Sequence, residues 1–157
     1  MCYGTRIFEI LTSSASIANL TCEANLVSVE AVEANLFVGG IAIDNYGAIS
    51  NVNISGFTST LVVYEANSRL IGAYAGITAM NRGTVASCAV VSDITLSDSS
   101  SGTTYTQNFF IGGLVFTNYA TISNSRINAN ITLTLSSTSS ATHQLAGITV
   151  ASTVQGR

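Results

Sequence analysis

Residues able to do acid–base, nucleophilic or metal chemistry are few in this chain: eight carboxylates, five arginines, three cysteines and one histidine. Glu33 and Glu65 form the best candidate pair, because each stands in a Glu-Ala-Asn context ahead of a glycine-rich segment. On neighbouring strands, two such acids would bind calcium or divide acid and base work on a polysaccharide. The position that should continue the series holds Thr106 or Gln107, so the preferred reading is a pair of solvated acids. His143, in the stretch Ser136 to Gln144, is far in sequence from any acid and reads as a loop residue rather than a triad member.

Cys2, Cys22 and Cys88 are odd in number and lack the close Cys/His pairs of a zinc site. Arg6, Arg69, Arg82 and Arg126 are scattered. Asn-x-Ser/Thr occurs at Asn19, Asn53 and Asn130, no more often than 13 asparagines and abundant Ser/Thr produce by chance. No residue is assigned a catalytic, cofactor-binding or metal-ligating role, and no cofactor is expected.

The elements that would position these groups follow from composition and repeats. Charged residues make up 8% of the 157, with no Lys, Pro or Trp, and net charge −3. That leaves no basic face for nucleic acid. The 47% hydrophobic content argues against disorder. Ser, Thr, Asn or Gly interrupts every apolar run before the roughly 18 residues of a membrane span. The N-terminal Met-Cys-Tyr-Gly-Thr-Arg has no signal-peptide pattern after it.

The glycines expose a repeat. GGIAIDNYGAISN from Gly39, AGITAMNRGTVAS from Ala75 and GGLVFTNYATISN from Gly112 align without gaps, and a fourth copy starts at Ala146-Gly147-Ile148. The second glycines lie 36, 37 and 34 residues apart. An earlier degenerate copy covers Phe8 to Ala24. The expected domain is therefore one unit over 1–157: a degenerate coil 1–35, coils 36–71, 72–108 and 109–144, and a partial coil 145–157. A period in the thirties also suits helical repeats, but β-branched residues and period-two alternation select strand. Only Glu30 to Leu36 would pass for a short helix.

Three strand segments per copy follow from the alternation. In the first, Ile41/Ile43, Ile77/Ala79, Leu114/Phe116 and Ile148/Val150 point inward, while Thr78, Val115 and Thr149 point outward. In the second, solvent exposure of Glu23 and Arg126 turns Leu20/Cys22, Val52/Ile54, Cys88/Val90 and Ser125/Ile127 inward and aligns Asn19, Asn51, Ser87 and Asn124. In the third, Leu61/Val63, Ile94/Leu96 and Ile131/Leu133/Leu135 point inward, with Thr60 to Tyr64 opposite Asp93 to Ser97. Cys22 and Cys88 then read as core residues two coils apart, too far for a disulfide. Ser97 to Thr106 and Ser136 to Thr142 read as loops. Outward Thr78, Thr149, Thr95, Thr132 and Thr134 raise an ice- or carbohydrate-binding face, interrupted by Ala42, Val62 and Val115.

One such copy has a single apolar face and cannot bury it alone, whereas stacked copies bury a continuous column. The expected fold is all-β, a parallel β-solenoid of about four coils with a repeat of roughly 35 residues. The copies GGIAIDNYGAISNVNISG, AGITAMNRGTVASCAVVS and GGLVFTNYATISNSRINA resemble GLUG-type repeats, whose pattern runs G-G-L-V-G-x-N-x-G-x-I-x-N-C/S. They depart from it where Ile43, Ala79 and Phe116 replace a third glycine. The resemblance implies a repetitive exported or cell-surface protein, often adhesive, without catalytic residues.

The function expected is thus a non-enzymatic structural or adhesive segment, possible as a fibre subunit stacking end to end or as part of a longer solenoid. A polysaccharide-acting enzyme and a glycan- or ice-binding module are the alternatives.

Overall fold

The computed structural model describes residues 8–31, 35–63, 69–91, 93–98, 106–134 and 144–152. Among these, strand is the regular structure and no helix occurs. The strands form three sheets, and every pairing is parallel. A tight hairpin cannot join parallel neighbours, so each strand must find its partner in another copy of the repeat.

The first sheet orders Phe8–Leu11, Ala42–Asn45, Thr78–Asn81, Val115–Asn118 and Thr149–Ser152 side by side. Ala42, Thr78, Val115 and Thr149 are successive Cα partners in it. The second sheet has four rungs: Ser16–Ala31; Ala48–Val63; Thr84–Ala86 with Ala89–Val90 and Ile94–Asp98; and Thr121–Ser123 with Arg126–Ile127 and Ile131–Thr134. The third sheet orders Asn35–Gly39, Arg69–Ala75, Thr106–Gly112 and Gln144–Ala146. The chain visits the three sheets in turn and then returns to the first, beside its previous strand.

The third sheet is the main departure from the sequence reading, which left the stretch before each glycine pair unassigned. Its apolar runs (Leu36-Phe37-Val38, Ala73-Tyr74-Ala75, Phe109-Phe110-Ile111) hydrogen-bond to one another across copies. Glu30 to Leu36, the one segment that would pass for a short helix, is strand where described: Glu30 and Ala31 close one strand, and Asn35 and Leu36 open the next. A helix there would leave the edge of Arg69–Ala75 without a partner. Ser97 and Thr106, expected as loop ends, lie within strands. Residues 99–105 and 136–142 lie outside the described residues.

Ile41, Ile49, Val52, Ile54, Tyr74, Ile77, Val85, Val90, Ile111 and Leu114 belong to the core. The expected column Ile41/Ile77/Leu114 is fully buried, but Ile148 at its end is 45% exposed, because no described strand lies over it. Thr78 and Val115, expected to face water, are also fully buried. Sheets covered on both faces lose the in/out alternation on which that expectation relied. The Thr78 hydroxyl is satisfied there by donating to the Ile43 carbonyl at 3.2 Å.

The second sheet follows the expected register as far as Ile54: Leu20 is opposite Val52, Cys22 opposite Ile54, Ile54 opposite Val90, and Val90 opposite Ile127. Further on, Ile94 pairs with Phe57, where the sequence reading put Thr60 to Tyr64 opposite Asp93 to Ser97. A ladder in register at Ile54 cannot slip four residues just beyond it without orphaning backbone groups. The slip is even, so the inward face is kept: Ile94 is buried, and Ile131 and Leu133 pack against the core. Side chains of Leu61, Val63 and Leu96 are not described, and Leu135 lies outside the described residues.

Close backbone approach requires glycine at positions 40 and 113. A Cβ on Gly113 would fall on the Gly147 carbonyl oxygen and the Ile127 Cδ1, and one on Gly40 would fall on the Gly76 carbonyl oxygen.

Candidate functional site

Polar side chains gather in three columns that cross the rungs. The innermost is Asn45, Asn81 and Asn118, at the ends of first-sheet strands. Asn45 Nδ2 donates to Asn81 Oδ1 at 2.8 Å, and Asn81 Nδ2 donates to Asn118 Oδ1 at 2.8 Å. Both Asn45 and Asn81 are fully buried. Each also caps its own turn, Asn45 Oδ1 accepting from the Gly47 N–H and Asn81 Oδ1 from the Gly83 N–H. This is the Asx-turn habit of asparagine. The second amide hydrogens go to the carbonyls of Thr84 and Thr121. An acid at these positions could accept but not donate, and a leucine could do neither.

The column beside it holds the exposed Tyr46 and Arg82 and the half-buried Tyr119. The Arg82 guanidinium lies 5.6 Å from the Tyr46 ring centre and 4.6 Å from that of Tyr119. Its Nε stands 3.3 Å from Asp44 Oδ1, a shielded oxygen held by charge and not by a hydrogen bond. The guanidinium thus occupies the inner face of each ring, and the pair cannot close on a sugar from that side.

The third column is Asn19, Asn51, Ser87 and Asn124. These four are the non-glycine residues with positive φ among those described, at 57°, 52°, 53° and 48°. One left-handed residue per rung shifts the alternation, so the buried positions on either side lie three apart, as with Ile49/Val52 and Val85/Cys88. Asparagine tolerates that conformation better than most side chains. All four are exposed, and Asn51 Nδ2 donates to Asn19 Oδ1 at 2.6 Å. Solvent exposure of Glu23 and Arg126 aligns this column in the sequence, whereas its left-handed backbone is visible only in the structure.

No protein-family model, curated protein or solved structure matches this chain. Its site must be read from its own geometry.

Glu33, Glu65, His143, Cys2 and Arg6 lie outside the described residues, so the acid pair and the histidine are not placed. Among the described residues no cluster of three His, Cys, Asp or Glu forms. Cys88 is a buried free thiol whose pKa is raised by desolvation, against the lowering effect of backbone hydrogen bonds. Its Sγ faces the carbonyls of Ala86 and Ile49 at 3.3 and 3.7 Å. Of the sequon asparagines, Asn19 and Asn130 are exposed, whereas Asn53 is half-buried with its Oδ1 shielded. Asn130 donates through its backbone N–H and Nδ2 to Asp93 Oδ1.

The register also revises the threonine face. Thr58, Thr95 and Thr132 are successive Cα partners, as are Thr60, Ser97 and Thr134. Val62, expected to interrupt these rows, pairs with Glu30 instead. Thr132 and Thr134 are exposed and Thr95 half-buried.

Proposed function

We propose that this chain is a non-enzymatic structural segment: a parallel β-solenoid of about four coils, serving as a scaffold of an extracellular or cell-surface protein. The observation that carries the reading is the buried ladder Asn45–Asn81–Asn118, in which buried polar groups are committed to joining one rung to the next. An active site keeps polar groups available to a ligand; a scaffold consumes them internally. The resemblance of the repeats to GLUG-type surface proteins points the same way. Incubating the full chain with a panel of polysaccharides, and measuring reducing ends, tests the non-enzymatic reading. No release is expected; turnover abolished by E33Q or E65Q would replace it with the glycan-cleaving alternative.

The hydroxyl rows favour a second reading. Rungs stack at about 4.8 Å and like-facing residues of a strand recur at about 6.7 Å, a regular grid for a repetitive glycan or an ice lattice. Ice-recrystallisation and glycan-array measurements on the chain and on T132V/T134V examine it. Equal behaviour of the two proteins would reject a binding role for this face.

A further inference from the structure

The two ends of the stack have complementary open edges. At one end, Thr121–Ser123, Arg126–Ile127 and Ile131–Thr134 are paired on one side only among the described strands. Above them lies an open hollow of about 590 Å³, walled by Ile122, Asn124, Ile148 and Thr149 among others. Leu145 and Ile148 stand there 47% and 45% exposed. At the other end, Ser16–Ala31 is likewise paired on one side, with Ala48–Val63, and Ile10 is 57% exposed. Among the described residues, the surface between rungs inside the chain therefore continues at both ends as backbone groups without a strand partner and exposed apolar side chains.

The first sheet has five strands where the second has four rungs. A second copy laid flush on the first would put its Phe8–Leu11 in the place already held by Thr149–Ser152. Those two strands are equivalent. Phe8, Ile10 and Leu11 pair with Ala42, Asp44 and Asn45, while Thr149, Ala151 and Ser152 pair with Val115, Thr117 and Asn118. The chain of Cα partners Ala42–Thr78–Val115 makes these the same positions of the repeat.

Resting on the scaffold reading above, we propose that two copies of this chain join head to tail by strand exchange. Thr149–Ser152 of one copy takes the place of Phe8–Leu11 beneath Ala42–Asn45 of the next. Ser16–Ala31 of that next copy then pairs in parallel with Thr121–Thr134, setting Asn19 over Asn124 and Thr21 over Arg126. The same move brings Val38 over Leu145, as Val38 lies over Tyr74 within one copy.

A disulfide trap tests the register. Thr21 and Arg126 are both exposed, and Asn53 and Ala89 separate them in the ladder. Three rungs put them about 14 Å apart in one copy, beyond the roughly 7 Å a disulfide spans. The double variant T21C/R126C, oxidised under mild conditions, should give a ladder of covalent oligomers on a non-reducing gel, with peptide mapping locating the bridge between positions 21 and 126. Adding L145D should abolish the ladder, because the carboxylate would be covered by the next copy. A monomer after oxidation, or bridges at other positions, overturns the exchange. Circular dichroism separates the two failures: a β-rich monomer defeats stacking alone, and a chain without β structure defeats the scaffold reading too.

Discussion

The side-chain amide of Asn45 donates to that of Asn81 at 2.8 Å across two rungs, with both residues fully buried. Two polar groups that would each be costly to bury alone satisfy one another, and Asn118 extends the series. Because each amide also caps the turn that follows it, the ladder couples rung spacing to turn geometry.

Asn81 has a partner on either side, so its loss should be felt twice. Asn81→Leu removes an acceptor from Asn45 and a donor from Asn118, and should cost about 3 kcal/mol. Asn118→Leu, at the half-buried end, should cost clearly less. Urea denaturation of the two variants gives the comparison, and equal losses would deny the ladder its role.

Ser87 is the one member of the left-handed column that is not asparagine. Ser87→Asn should stabilise the fold by roughly 0.5 kcal/mol, and Asn51→Val should destabilise it by about 2 kcal/mol, since a β-branched side chain is strained at positive φ. Melting temperatures of the two variants should move in opposite directions.

Gly113 meets the Gly147 carbonyl and Ile127 so closely that no side chain fits. Gly113→Ala should cost more than about 3 kcal/mol through a forced backbone shift. Gly147, where a Cβ would make only an ordinary contact with Ile127 Cγ2, should accept alanine with little change. Chemical denaturation of the pair separates steric exclusion from a general glycine preference.

Cys88 is held as the neutral thiol by burial, which raises its pKa above that of an exposed cysteine. A raised folded-state value makes this group's contribution to stability complete below the unfolded thiol pKa. The contribution is lost as pH rises through the folded value. This residue should therefore add no pH dependence to stability near neutrality and a decline above about pH 9. Cys88→Val, which matches the buried Val52 one rung away, should remove that part of the alkaline decline. Thiol labelling of position 88 should need unfolding at neutral pH.

The sequence by itself determined the repeat, the strand type and the second-sheet column, because each depends on short-range pattern. The gap-free match of Gly40, Gly76 and Gly113 put Ile41, Ile77 and Leu114 in one column, and all three are buried. The matched Asn45, Asn81 and Asn118 were present in the same alignment. Their type recurs in every complete copy, and that was the available signal for a ladder. Nothing local announced its burial.

Only the tertiary structure decided which surfaces are covered. Thr78 and Val115 are buried despite the alternation, as are Ile77 and Leu114 beside them, because their sheet is covered on both faces at these positions. The third sheet, built on Arg69–Ala75 and its partners, has apolar runs that periodicity alone does not distinguish from connections. The pairing of Ile94 with Phe57 likewise depends on a hydrogen-bond ladder begun several residues earlier, at Ile54. Pattern within a copy specifies which residues are apolar; contact between copies specifies what lies over them.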